Sequence, residues 1–190
     1  MGDPKKRRKQ FSVPLKKWEE SRIKSEGELT REFGLKNKKE IWKADSKLRN
    51  FKRQAKRLVA LNTEQAQKEK TQLLDRLKSL SLIDSNASMD NILDLTIRDL
   101  LNRRLQTVLV KKGIARSIKG SRQSIIHGHV TVKDIKLTVP SYLVKKNEEA
   151  TLSFSVNSPF FSTEHPERVK GEKKPKKPRK EAPYRRRGRR

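Results

Sequence analysis

From Arg103 to Lys133 the chain carries Arg103, Arg104, Arg116, Lys119, Arg122, His127 and His129 and not one Asp or Glu. Guanidinium groups grip phosphate oxygens as planar forks, and ammonium groups grip them as point charges. A face that needs only solubility mixes both signs. A one-signed face points instead to an anionic partner. Two further series share this chemistry. Lys43, Lys47, Lys52, Arg53, Lys56 and Arg57 recur along one stretch with only Glu40 and Asp45 near its start, and Lys5, Lys6, Arg7 and Arg8 open the chain in an unbroken basic run with Lys9. These residues neutralise charge, and none makes or breaks a bond.

No constellation for catalysis accompanies them. A glycine-rich phosphate loop, GxSxG and HExxH are all missing, and the acids cluster among leucines, where ion pairs to Lys and Arg explain them. Without cysteine the chain makes no disulfide, no reactive thiolate and no thiolate zinc site. His127, His129 and His165 have no metal-site spacing. The expectation is a non-enzyme with no metal, no cofactor and no small-molecule substrate.

The elements that must position the basic residues are legible from periodicity. Thr96 with Asp99 forms a capping box, and Leu100, Leu105, Val108 and Leu109 continue one apolar stripe to Lys111, Lys112 and Gly113, which end it. This predicts one helix from Thr96 to Gly113. Ser117 caps a second short helix carrying Ile118, Ile125 and Ile126 inward, and Gly128 stops it. Val130 and Val132 alternate into a strand, with a loose turn or shifted register expected at Lys133-Asp134-Ile135. Leu152, Phe154 and Val156 predict a half-buried edge strand, and Phe160 and Phe161 a returning segment packed on the core.

Upstream, Ile41, Ala44, Leu48, Phe51, Ala55 and Leu58 mark a long amphipathic helix over about 38–61. Phe11, Val13, Leu15 and Trp18 suggest a small apolar anchor, followed by helix to about Ile23 and a further turn or two from Glu26 to Phe33. Leu73, Leu74, Leu77, Leu80 and Leu82 read as core. The fold class is mostly α with a small β portion (α+β). The expected division is a basic arm over 1–36, a helical domain over 37–102, a domain of two short helices on a small sheet over 103–165, and a basic disordered tail over 166–190.

Composition agrees with an RNA or DNA partner rather than a membrane. The 190 residues are 32% hydrophobic and 37% charged, with a net charge of +27. That charge is +12 over 1–61, −2 over 62–102, +7 over 103–165 and +10 over 166–190. Self-repulsion of this size disfavours a compact monomer unless a polyanion neutralises it. No apolar run approaches the ~20 residues of a spanning helix, Lys6 stands where a myristoylation motif needs Ser or Thr, and no secretory segment follows the basic start. The KKRRK run also fits nuclear import.

A resemblance sharpens the reading. Arg104, Leu105, Val108, Leu109, Gly113, Ala115, Arg116, Ser117, Arg122, Gln123, Ile126, His127, Gly128, His129, Val130 and Val132, followed by Pro140-Ser141-Tyr142-Leu143-Val144, resemble the RNA-binding domain of the small-ribosomal-subunit protein S-four family. The opening MGDPKKRRKQF and the stretch KNKKEIWKADSKLRNFKRQAKRL resemble its archaeal and eukaryotic branch. The resemblance implies a cytoplasmic, ribosome-bound structural protein, not a homo-oligomer. Its partners would be small-subunit ribosomal RNA, with Gln123 joining the basic residues in contact, and neighbouring small-subunit proteins. It also implies early binding that nucleates RNA folding, and a place near the messenger-RNA path where decoding accuracy is influenced. A free-standing RNA chaperone or RNA-modification accessory built on the same domain is the alternative. A DNA-compacting protein fits the charge but leaves HGH and PSYLV unexplained.

Overall fold

The computed structural model describes residues 9, 11–84, 86–162 and 165. Lys5, Lys6, Arg7, Arg8 and the expected tail over 166–190 lie outside these residues. The described chain runs α1 (Glu20–Glu32), α2 (Lys38–Val59), α3 (Glu64–Ser79), α4 (Asn91–Asp94), α5 (Ile97–Asn102), α6 (Leu105–Lys111), α7 (Ile118–Ile126), β1 (Val130–Val132), β2 (Ile135–Lys136), α8 (Lys146–Glu149) and β3 (Leu152–Phe154). A 3-10 turn at Pro159–Phe161 follows. This is the α+β class expected, mostly helical with a small antiparallel sheet in the order β2-β1-β3.

Buried apolar side chains fall into two clusters. One is built around α2, whose Ile41, Ala44, Leu48, Phe51, Ala55 and Leu58 all face inward against Phe33, Leu73, Leu77, Ile92, Leu100 and Leu101. The other packs Leu105, Val108 and Leu109 of α6 and Ile125 of α7 onto Val130, Val132, Leu152 and Phe154 of the sheet. The helical spacing along α2 and the alternation along β3 thus place their apolar side chains as the sequence dictates.

Several expectations are corrected. The helix read from Thr96 to Gly113 is two. The capping box of Thr96 and Asp99 forms, but Arg104 is extended (φ −69°, ψ 141°) and bridges antiparallel to Leu143. Leu105 N–H donates to the Tyr142 carbonyl at 2.8 Å and Val144 N–H to the Arg103 carbonyl at 3.0 Å. The PSYLV segment therefore takes the backbone groups that an unbroken helix would have used. In contrast, α1 is continuous through Ile23 and Glu26 rather than two pieces. Leu15 and Trp18 are 100% and 91% exposed, so only Phe11 and Val13 of the expected anchor are sheltered.

Ile126 is half-exposed, because α7 ends there and presents only Ile125 to the sheet. Val156 is exposed, β3 stopping at Phe154, and Phe161 is exposed while Phe160 packs on the second cluster. The polar stretch after Lys145 forms a short helical turn, Lys146–Glu149. The hairpin is tight. Val132 pairs with Ile135, leaving Lys133 and Asp134 as a two-residue turn with φ +48° and +65°. Both central residues are left-handed, as a type I′ turn requires, so the hairpin keeps its register without glycine.

Candidate nucleic-acid interface

The basic residues sort into three environments. The first is the junction of the two clusters. Glu40, in the first turn of α2, accepts from Arg104 Nη2 at 2.5 Å and from Arg122 Nη2 at 3.0 Å. Arg104 and Arg122 come from the break before α6 and from α7, so one carboxylate ties together three elements far apart in sequence. Burial alone would raise the Glu40 pKa, but the hydrogen bond from Arg122 and the charge of Arg104 overcome it and hold the carboxyl below its ordinary value. Burial pulls the Arg104 pKa down, partly offset by Glu40.

This placement corrects the reading of Arg104 as part of an open basic face. Its side chain is 7% exposed and its charge is spent on Glu40. Arg103 is turned inward as well, its Nη2 donating to Glu149 at 3.0 Å and to the Val144 carbonyl at 3.1 Å. The acid-free run from Arg103 to Lys133 meets its acids in three dimensions, from α2 and α8.

The second environment is a cleft of about 940 Å³ beside that ion pair. Lys39, Lys43, Lys47 and Asn50 of α2 form one wall, with Arg122, Ser141 and Leu143 opposite. Steps of four, four and three residues keep the α2 side chains on one stripe. Continued by Gln54 and Arg57, the stripe reaches a shallower groove shared with Glu69 and Arg76 of α3. Burial, then the charge of Arg76, lowers the Lys47 pKa. Lys52 and Lys56 lie on the opposite flank of the buried face of α2, with Arg53 between the two, so the six cations expected there do not form a single surface. Lys39 belongs to the basic series that the sequence places on the polar side of α2, whereas Asn50 joins the cleft without having been singled out from sequence. The helical period alone identifies Asn50, once the cleft-facing side of α2 is known.

The segment at Phe11 and Ser12 is pinned to the same helix. Ser12 N–H donates to Ser46 Oγ at 3.0 Å, and the Phe11 ring sits 6.4 Å from Trp42 with Lys43 Nζ 5.9 Å above it.

The third environment runs along α7 from its N-cap Ser117 to its C-cap His127. Ser117 caps the helix by accepting from Gly120 N–H at 3.1 Å. Arg116, Lys119, Gln123 and His127 are exposed and His129 is half-buried. Arg116, Gln123, His127 and His129 line a groove of about 420 Å³, while Lys119 projects beside it. Among the described residues no cluster of three or more His, Cys, Asp or Glu side chains has metal-holding geometry. Likewise, no described helix is long and apolar enough to cross a membrane.

Two open cationic surfaces thus flank one internal ion pair, a charge pattern suited to a polyanion. Comparison with known proteins gives the same stretch a family. Residues 103–149 match the S4 domain. Over 161 residues the chain is 46% identical to the small ribosomal subunit protein uS4 of Ignicoccus hospitalis, covering 85% of this chain and 97% of that one. It is 43% identical over 170 residues to uS4 of Methanococcus maripaludis (strain C5), covering 89% and 96%. It is 42% identical over 160 residues to uS4 of Methanothermobacter thermautotrophicus, covering 84% and 94%. Identity of this extent over nearly the whole of each relative, with the S4 domain falling on α6 to α8, means that the chain belongs to the small ribosomal subunit protein uS4 family.

Proposed function

We propose that this chain is a structural, non-catalytic component of the small ribosomal subunit that binds small-subunit ribosomal RNA. The observation that carries the reading is the α2 stripe facing α7 across the cleft, with the acid between them shared by Arg104 and Arg122. Lys39, Lys43 and Lys47, beside an Arg104–Glu40–Arg122 cluster that keeps one net positive charge, neutralise backbone phosphates of RNA segments that would otherwise repel one another. The α7 end, with Arg116, Lys119, Gln123, His127 and His129, makes the second contact. Lys5, Lys6, Arg7, Arg8 and the tail add phosphate contacts that raise affinity without reading sequence.

In this reading the chain works as a monomer in the cytoplasm and binds before most neighbouring small-subunit proteins. It holds one RNA domain in shape and stands near the messenger-RNA path, where its position bears on decoding accuracy. The basic arm over 1–36 and the tail over 166–190 flank a helical unit over 37–102 and an RNA-binding unit over 103–165; the two apolar clusters support the boundary at 102/103, while Phe33 and Leu35 pack into the helical cluster. Sedimentation of cell extract tests it. The protein is expected to remain with the small subunit at moderate salt, and recovery in the free-protein fractions would overturn the proposal.

A further inference from the structure

We propose that the groove at the end of α7 holds one unpaired nucleobase of the RNA, stacked on the imidazoles of His127 and His129 and met at its edge by the Gln123 amide. The inference rests on the RNA-binding reading above and names the kind of RNA element this end of the molecule takes.

The groove differs in chemistry from the cleft. The cleft is walled by ammonium and guanidinium groups, which suit phosphate. The groove, of about 420 Å³, is walled by rings and small side chains, with Arg116 as the one Lys or Arg lining it among the described residues. Flat rings beside a small concavity are the means by which proteins hold splayed-out bases of single-stranded RNA.

The rings are brought together by the backbone. His127 is the C-cap of α7, and Gly128 follows at φ +73°, in the left-handed region, so the chain reverses and starts β1 at once. His127 and His129 therefore end on one side, with ring centroids 6.1 Å apart and planes 27° from parallel. That spacing makes them a stacked pair with a free outer surface on the exposed His127 ring.

The lower ring is fixed in advance. His129 Nδ1 lies 3.1 Å from Ser158 Oγ, and its ring meets Phe160 edge to face at 5.0 Å and 78°. Phe160 in turn rests on Phe154 of the core at 5.7 Å. A base stacking here finds a platform already ordered, which spares the entropy of arranging it. Gln123 stands one helical turn before His127 on the same side of α7. Its amide offers both a donor and an acceptor to a base edge. Arg116, at the other end of the groove, is placed for the phosphate that follows the base.

Replacement of His127 separates stacking from charge. Full-length wild type, His127→Ala, His127→Tyr and His127→Lys are titrated against a small-subunit ribosomal RNA transcript by filter binding over a range of salt, each checked for folding by circular dichroism. Removing one stacking ring is expected to weaken binding about tenfold. Tyr should restore affinity to near wild type, Lys should not, and the salt slope should be the same in all four proteins. Restoration by Lys with loss in Tyr would make the imidazole a phosphate contact and overturn the proposal, as would wild-type affinity in the folded Ala protein. Either result leaves RNA binding itself standing. Only failure of the wild type to bind the transcript would remove the reading on which the inference rests.

Discussion

Glu40→Ala is the substitution that asks most of this structure. The carboxylate is shared by Arg104 and Arg122 at 2.5 and 3.0 Å, and removing it leaves a guanidinium that is 7% exposed with no counter-charge. Breaking a buried pair from one side costs about 3–5 kcal/mol. Glu40 and Arg122 side chains retain 18% and 21% exposure, so water relieves part of the loss and the lower end, about 3 kcal/mol, is expected. For a chain of this size that is a fall in Tm of about 6–12 °C. Glu40→Gln keeps one acceptor and should lose about half as much.

The effect depends on pH in a defined sense. The folded-state pKa of Glu40 is depressed, so its contribution is present in full above the unfolded carboxylate value. It is lost as pH falls through the folded one. Thermal unfolding followed by circular dichroism should therefore separate wild type from Glu40→Gln at neutral pH, and the gap should narrow steadily in acid. A Tm unchanged to within about 2 °C at pH 7, or a gap that widens in acid, would refute the assignment of Glu40 as the tie between the two clusters.

Other perturbations bear on the interface. Arg116→Glu with Lys119→Glu should weaken RNA binding at least tenfold with an unchanged circular dichroism spectrum; unchanged affinity would move the contact elsewhere. Arg122→Glu is a poorer probe, since it also repels Glu40 and should destabilise the fold. Replacing Lys39, Lys43, Lys47 and Arg57 by Gln should reduce the slope of log affinity against log salt by about 3, whereas Gln at Lys52 and Lys56 should change it much less. Equal slopes for the two sets would show that the stripe is merely solvated. Asp134→Gly relieves a left-handed residue at φ +65° and should stabilise the protein by about 0.5–1 kcal/mol, read as a rise in the urea midpoint. Removing 166–190 should weaken RNA association without moving its footprint.

How far the sequence spoke depended on distance along the chain. The period of Ile41, Ala44, Leu48, Phe51, Ala55 and Leu58 and the caps at Thr96 and Ser117 are local signals, and each forms as read. The break between α5 and α6 is not local. Nothing near Arg104 announces it, because the strand-like partner that ends the helix is Leu143, and residues 142–144 lie some forty positions away. The same holds for the basic face. An acid-free stretch of sequence is not an acid-free surface, and Glu40 and Glu149 reach Arg103, Arg104 and Arg122 from outside it. The residues that stayed open, Arg116, Lys119, Gln123 and His127, lie on α7 or just beside it, where no acidic element among the described residues packs across them. Lys133 and Asp134 show a third kind of limit. A turn can be tight without the glycine that usually signals it when two non-glycine residues accept positive φ.

Ultraviolet cross-linking of the full-length protein to small-subunit ribosomal RNA, with the linked peptides identified by mass spectrometry, tests the central claim most directly. Cross-links are expected in the peptides carrying Arg116 to His129 and in those carrying Lys39 to Lys47, both from the same RNA molecule. Cross-links confined to the leucine-rich, net-acidic stretch 62–102, or none to either basic surface, would contradict it.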